Sequence, residues 1–279
     1  MWRRLWRQRR RLAITTLLAA PLFALSHSGN DDLLPVLAGN AVMVLVFIGV
    51  AILAWPTGRR SSTGLIAVAF SLAVIDLSAL GGILPGWVRI LLIVAAALVL
   101  PRLFHRLVDA VVPRVRATLA AEVTVPLDPV ATLERYTGRD GTNWSPVLAR
   151  VEHRADGYDR VYRDGFFGGM VARHDVSDYV PGQREVSRVT MVSPDERVDG
   201  GHAEVTLTVR PVPGGTRLSM AERSEGLAPS IMAGAWQDDA VGATLDQFAA
   251  FVSGRRDRST LAADYRAVGI DTDPPDRAF

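Results

Sequence analysis

The residues of this chain that could do chemistry are few, and their spacing excludes more than it offers. All 31 basic side chains are Arg, none is Lys, and Cys is absent. Without Lys there is no Schiff-base enzyme, no pyridoxal-phosphate lysine and no P-loop lysine. Without Cys there is no thiol nucleophile, disulfide frame or Cys-bearing zinc site. The five His residues, His27, His105, His153, His174 and His202, form no HExxH and no i, i+4 pair. No GxSxG elbow and no Gly-rich dinucleotide or phosphate loop occurs. Neither a metal nor a cofactor is therefore expected. Two acids stand out by their surroundings: Asp76 lies within a long apolar stretch, and Glu222 continues the alternation of an apolar strand face.

The elements that must position these residues fall into two unlike parts. The formal net charge of +2 conceals residues 1 to 116, with 13 Arg against four acids, and residues 117 to 279, with 18 Arg against 25 acids. The first part is strongly apolar and holds four candidate membrane segments, at about 12–25, 34–55, 64–84 and 87–107, weighed against the roughly 20 residues that cross a bilayer. The first is the shortest and also reads as a signal-peptide core. Arg residues cluster before it, at Arg59 and Arg60, and after the fourth; the intervening loops carry none. The positive-inside rule then places both termini in the cytoplasm, as a multi-pass protein of an inner membrane, its bilayer a direct partner.

An ionised carboxylate at a membrane-helix centre costs about 2.5 to 3.5 kcal/mol, so Asp76 needs a partner or a proton. Arg89 and Asn40 belong to the same outer half in this topology. A polar pair that fixes helix packing is favoured over a proton or substrate relay, because no other segment carries a second acid. From Arg102 to Val112 the apolar spacing is helical, extending the fourth segment along the interface or simply continuing it.

After a linker at 113–116 the texture changes. Leu119, Ala121, Val123 and Val125 alternate as a half-buried strand does. Asp128-Pro129 starts a short helix through Leu133 and Tyr136, and a second short helix is expected over Pro146 to Arg150, after Trp144. Strands follow near 150–154, 158–163, 168–174 and 185–193. Ala203 to Arg210 and Thr216 to Glu222 then form a hairpin about Pro213-Gly214-Gly215, with Leu218 and Met220 on one face. Pro229 to Val252 reads as one long helix, with Val241, Leu245, Phe248 and Val252 on one face, and 255–279 as a flexible tail.

This order resembles the START-like helix-grip superfamily (SRPBCC), which includes polyketide cyclase/dehydrase, coenzyme Q-binding and lipid-transfer proteins. The likeness is carried by Val123-Thr124-Val125-Pro126-Leu127-Asp128-Pro129, Asn143-Trp144-Ser145-Pro146, Gly215-Thr216-Arg217-Leu218 after Val209-Arg210-Pro211, and the last amphipathic helix. It covers about 117–254. The implied fold class is an α+β helix-grip domain, a curved antiparallel sheet around a long C-terminal helix, joined to an N-terminal α-helical transmembrane bundle.

The resemblance implies an apolar pocket between sheet and helix, with Tyr136, Trp144, Leu218, Met220, Glu222, Leu245 and Phe248 as candidate lining. Strand parity turns Glu222 inward, unless the strand ends or bulges first; an inward Glu222 would orient a ligand or move a proton. Core packing competes with ligand contact for the apolar members. The expected function is membrane-anchored binding or transfer of a hydrophobic small molecule such as a lipid, quinone or polyketide. The alternatives are a cyclase/aromatase-like enzyme, or a membrane sensor or transport protein with a regulatory soluble domain. Nucleic acid is not an expected partner, since the Arg residues of this part are dispersed among acids.

Overall fold

The computed structural model describes residues 2–25, 33–54, 66, 68–74, 84–163, 170–192, 202–255, 262 and 265–266. The chain divides into two compact units, Met1–Val112 and Pro113–Phe279.

The first unit is helical: α1 (Trp2–Arg7), α2 (Arg9–Leu25), α3 (Leu33–Ala54) and α4 (Gly86–Val111). Residues 68–74 are helical as well. Ala19 of α2, Val44 and Ile48 of α3 and Ala69 pack together; small Ala side chains at two of these contacts let the helices approach closely. Among the described residues only α4, 26 residues long, is long and apolar enough to cross a membrane. The described helices thus do not support the expected four-helix transmembrane bundle: α2 has 17 residues with Arg9, Arg10 and Arg11 at its start, and the described apolar stretch of α3 is Leu34–Val50. The third expected segment is described only in part. Pro101 does not end α4, which runs as one helix to Val111. Asp76 lies outside the described residues. Of its expected partners, Arg89 donates from Nε to the Leu84 carbonyl at 3.1 Å, and the Asn40 Nδ2 is buried with no hydrogen-bond partner among the described residues.

The second unit is built on β1 (Val115–Val125), α5 (Pro129–Thr137), β2 (Leu148–Arg154), β3 (Gly157–Tyr162), β4 (Val171–Val180), β5 (Arg184–Val192), β6 (His202–Val212), β7 (Gly215–Leu227), α6 (Pro229–Gln237) and α7 (Ala240–Val252). The strands form one sheet in the order β1-β7-β6-β5-β4-β3-β2, antiparallel at every pairing. α5 packs on β6 and β7, and α7 on β1 and β7. Leu133 and Tyr136 of α5 and Leu245 and Phe248 of α7 share one buried core with Val123, Val205, Leu207 and Leu218 of the sheet. A seven-stranded antiparallel sheet holding its helices against one face fits a helix-grip domain.

Local chemistry accounts for these elements. The Asp128 carboxylate accepts from the Ala131 backbone N–H at 2.9 Å, capping α5, and Gly138 ends it in a left-handed conformation at φ 79° that an L side chain disfavours. In the last hairpin Val212 pairs with Gly215, leaving Pro213-Gly214 as the turn. At Gly215, φ is 151° and a Cβ would come within 2.1 Å of the Val125 carbonyl oxygen, so the end of β1 can pass this close only to glycine.

Four expectations need correction. No helix forms over Pro146 to Arg150; β2 begins at Leu148, because the chain is drawn into the sheet where Arg163 N–H donates to the Val147 carbonyl at 2.9 Å. The long last helix is two, α6 and α7, separated at Asp238 and Asp239, where Asp239 takes a left-handed φ of 49°. The linker at 113–116 is shorter, since Val115 and Arg116 already belong to β1. The stretch read as a flexible tail contains buried Ala262 and Tyr265, the remainder beyond Arg255 apart from Arg266 being outside the described residues.

Candidate functional site

Five of the seven candidate lining residues come together as a packed core. Tyr136, Trp144, Leu218, Leu245 and Phe248 are all buried in the same cluster. The Tyr136 and Trp144 rings stack at 5.2 Å, and Phe248 meets both edge-on, at 5.1 and 5.3 Å, a favoured arrangement of aromatic quadrupoles. The Trp144 indole N–H donates to the Tyr136 carbonyl at 2.8 Å, which satisfies the polar tip of a buried ring. The other two candidates, Met220 and Glu222, are half-buried on the same face of β7.

Glu222 does point inward. β7 continues to Leu227 with no register shift around Glu222, which pairs with Leu119 of β1 and Val205 of β6. Burial raises the Glu222 carboxyl above its ordinary range, and a hydrogen bond donated by the Ser224 hydroxyl at 3.0 Å offsets only part of that rise.

The structure adds a polar assembly on the strands facing β7. Glu185 of β5, fully buried, accepts from the Tyr158 hydroxyl at 2.9 Å and from Arg139 Nη2 at 3.1 Å. Burial drives the Tyr158 phenol far above its usual range. Its ring stacks on His174 at 4.4 Å, and the His174 Nδ1 lies 3.3 Å from the Ser187 hydroxyl. Burial, and secondarily the charge of Arg160, hold His174 well below the ordinary imidazole range, so the ring is neutral. This group is closed: an acid, two donors and a stacked ring satisfy one another.

Arg160 of β3 is the open member. Its Nη2 donates to the Tyr136 carbonyl at 2.8 Å, and its guanidinium lies 5.3 Å from the Tyr136 ring and 5.6 Å from that of Tyr158. Its Nε is buried with no hydrogen-bond partner among the described residues. Burial alone would lower its pKa, but the nearby oxygens of Tyr158, Tyr136 and Tyr162, with the Glu185 carboxylate after them, outweigh that and raise it. Tyr136 feels both Arg160 and Glu222: burial pushes its phenol up to about 12, Arg160 pulling down and Glu222 pushing up. Tyr162 is raised by burial between the same two charges.

β3 and β7 are separated by β4, β5 and β6, so a flat sheet would set them about 19 Å apart at ~4.8 Å per strand. Tyr136 nonetheless takes a hydrogen bond from Arg160 on β3 and donates its hydroxyl to the Met220 sulfur on β7 at 3.1 Å. The curl of the sheet and the inward reach of Arg160 bring both strands to one residue of α5. Sequence reasoning missed Arg139, Tyr158, Arg160 and Glu185. The signal available was the alternation Tyr158, Arg160, Tyr162, which puts a cation between two phenols on one face of β3. Among the described residues no group of three or more His, Asp or Glu side chains could hold a metal ion.

No protein-family model matches the chain, and no curated protein does. Solved structures are similar to about half of the chain. The protein Mll3558 from Rhizobium loti is 20% identical, covering 49% of this chain and 97% of its own, with a TM-score of 0.40. The Aha1 dimer from Colwellia psychrerythraea is 15% identical over 48% of this chain and 94% of its own, with a TM-score of 0.37. Ara h 8.0201 is 13% identical over 50% and 99%, with a TM-score of 0.36.

Proposed function

We propose that this protein binds or transfers a hydrophobic small molecule, of lipid, quinone or polyketide type, on the concave face of its helix-grip domain. The observation that carries this reading is the row of half-buried inward positions, Met220 and Glu222 on β7, Val189 on β5 and Arg160 and Tyr162 on β3, beside the packed aromatic core. Apolar positions such as Met220 and Val189, with a few polar groups among them, are what small-molecule sites are made of. We further propose that the N-terminal unit sits in an inner membrane with the helix-grip domain in the cytoplasm. The exposed apolar side chains of α4, including Ile90, Leu91, Leu98, Leu103, Phe104 and Leu107, support that placement. A cyclase-like activity has one point in its favour, the inward carboxyl of Glu222 with its raised pKa.

The full chain, purified in detergent and extracted into organic solvent, is expected to release a stoichiometric apolar compound detectable by mass spectrometry. Met220→Trp, which fills the inward position, should abolish that release. Wild type without any bound compound would overturn the binding reading. A phosphatase fused after Arg116 is expected to be inactive in a bacterial host; an active fusion would overturn the cytoplasmic placement.

A further inference from the structure

The charges on the concave face do not cancel locally. The carboxylate of Glu185 is occupied by Arg139 at 3.1 Å and the Tyr158 hydroxyl at 2.9 Å. Glu222 takes its hydrogen bond from Ser224 at 3.0 Å and makes no ion pair with Arg160. Arg160 therefore keeps a guanidinium, out of water at Nε, with no acid in ion-pair range among the described residues. A cation in such a place is costly unless an anion pairs with it, and the planar fork of Arg matches a carboxylate with two parallel N–H donors. The flanking Tyr136 and Tyr158 rings hold that fork in orientation, as faces favourable to a cation.

Resting on the hydrophobic-ligand reading above, we propose that Arg160 is the anchor for the carboxylate of an amphipathic monoacid, held beside Tyr162. The apolar part of that ligand lies along Val189 and Met220, both of which pack on the aromatic core. Glu222, on β7 beside Met220, borders the apolar part, its carboxyl held by the Ser224 hydroxyl. The ligand class is thus narrowed from any apolar molecule to one with an acidic end.

The full chain in lipid nanodiscs, with empty nanodiscs as reference, is titrated calorimetrically with 5-phenylvaleric acid, 5-phenylpentan-1-ol and 5-phenylpentylamine. Wild type is expected to bind the acid at least about tenfold more tightly than the alcohol, with the amine weakest, as follows from charge-assisted hydrogen bonds. Arg160→Gln should remove the preference, bringing acid and alcohol to similar affinity, and Arg160→Lys should restore part of it. Equal binding of acid and alcohol by wild type overturns the anchor while leaving the hydrophobic-ligand reading in place. Binding of none of the three overturns both. The ranking of three probes by wild type decides the matter even if Arg160→Gln fails to fold.

Discussion

The concave face of the helix-grip domain has two ends that solve burial differently. At one end Tyr136, Trp144 and Phe248 pack ring against ring, with Leu218 and Leu245 filling between them. At the other, Glu185, Arg139, Tyr158, His174 and Ser187 bury polar atoms by bonding them to one another. The apolar end gains from removing surface from water, roughly in proportion to area. The polar end gains little net energy and loses much if one member is taken away. Arg160 and Glu222 belong to neither pattern, being half-buried charges without an ion-pair partner among the described residues. Arg160 is held by the Tyr136 carbonyl and two ring faces instead of by an acid, and the proposed ligand site is built on this pair.

The largest effect is expected where the polar end is broken. Glu185→Ala strands both Arg139 and the Tyr158 hydroxyl, and should cost about 4 to 5 kcal/mol in chemical denaturation of the second unit. A loss below about 1 kcal/mol would show that the polar end relaxes on its own. Next comes the apolar end: Phe248→Ala removes a fully buried ring touching two others, for about 3 to 4 kcal/mol, and the near-ultraviolet signal of Trp144 should weaken with it.

His174 gives a pH-dependent contrast between the ends. Its folded pKa lies well below the ordinary 6.5, so its contribution to stability is complete above 6.5 and is lost as pH falls from there towards the folded value. Denaturation midpoints of wild type should therefore fall on acidification through this window. His174→Phe, which keeps a ring against Tyr158, should flatten that fall, and an unchanged slope would exclude His174 as its source. Asp128→Ala should cost about 1 kcal/mol through loss of the α5 cap, read as a drop in melting temperature.

The smallest effect belongs to Glu222. Its folded pKa is raised above the ordinary 4.5, so the stability it contributes is present below 4.5 and lost as pH rises through the folded value. Glu222→Gln should match wild type in acid and be slightly more stable at neutral pH. The opposite order at neutral pH would mean that a cation pairs with Glu222.

Much of the fold was legible because it rests on local rules. The Asp128 cap, the Pro213-Gly214 turn and the alternation of β1, β6 and β7 are all written in neighbouring residues, and the inward parity of Glu222 followed from Leu218 and Met220. The break between α6 and α7 was hidden, because the apolar spacing of Val241, Leu245 and Phe248 is that of α7 itself, and nothing in it marks the left-handed turn at Asp239. The expectation of a helix after Trp144 failed because pairing with β3 claims that backbone.

The sequence by itself determined which chemistries are absent, since a chain without Lys or Cys has no side-chain amine or thiol to use. It also determined the alternation that sends Glu222 inward. Only the tertiary structure decided that Arg139 and Tyr158 meet at Glu185, and that Arg160 is left over. The reason is distance along the chain: these residues lie on a loop and on separate strands, and only the curl of a seven-stranded sheet brings their side chains to one face.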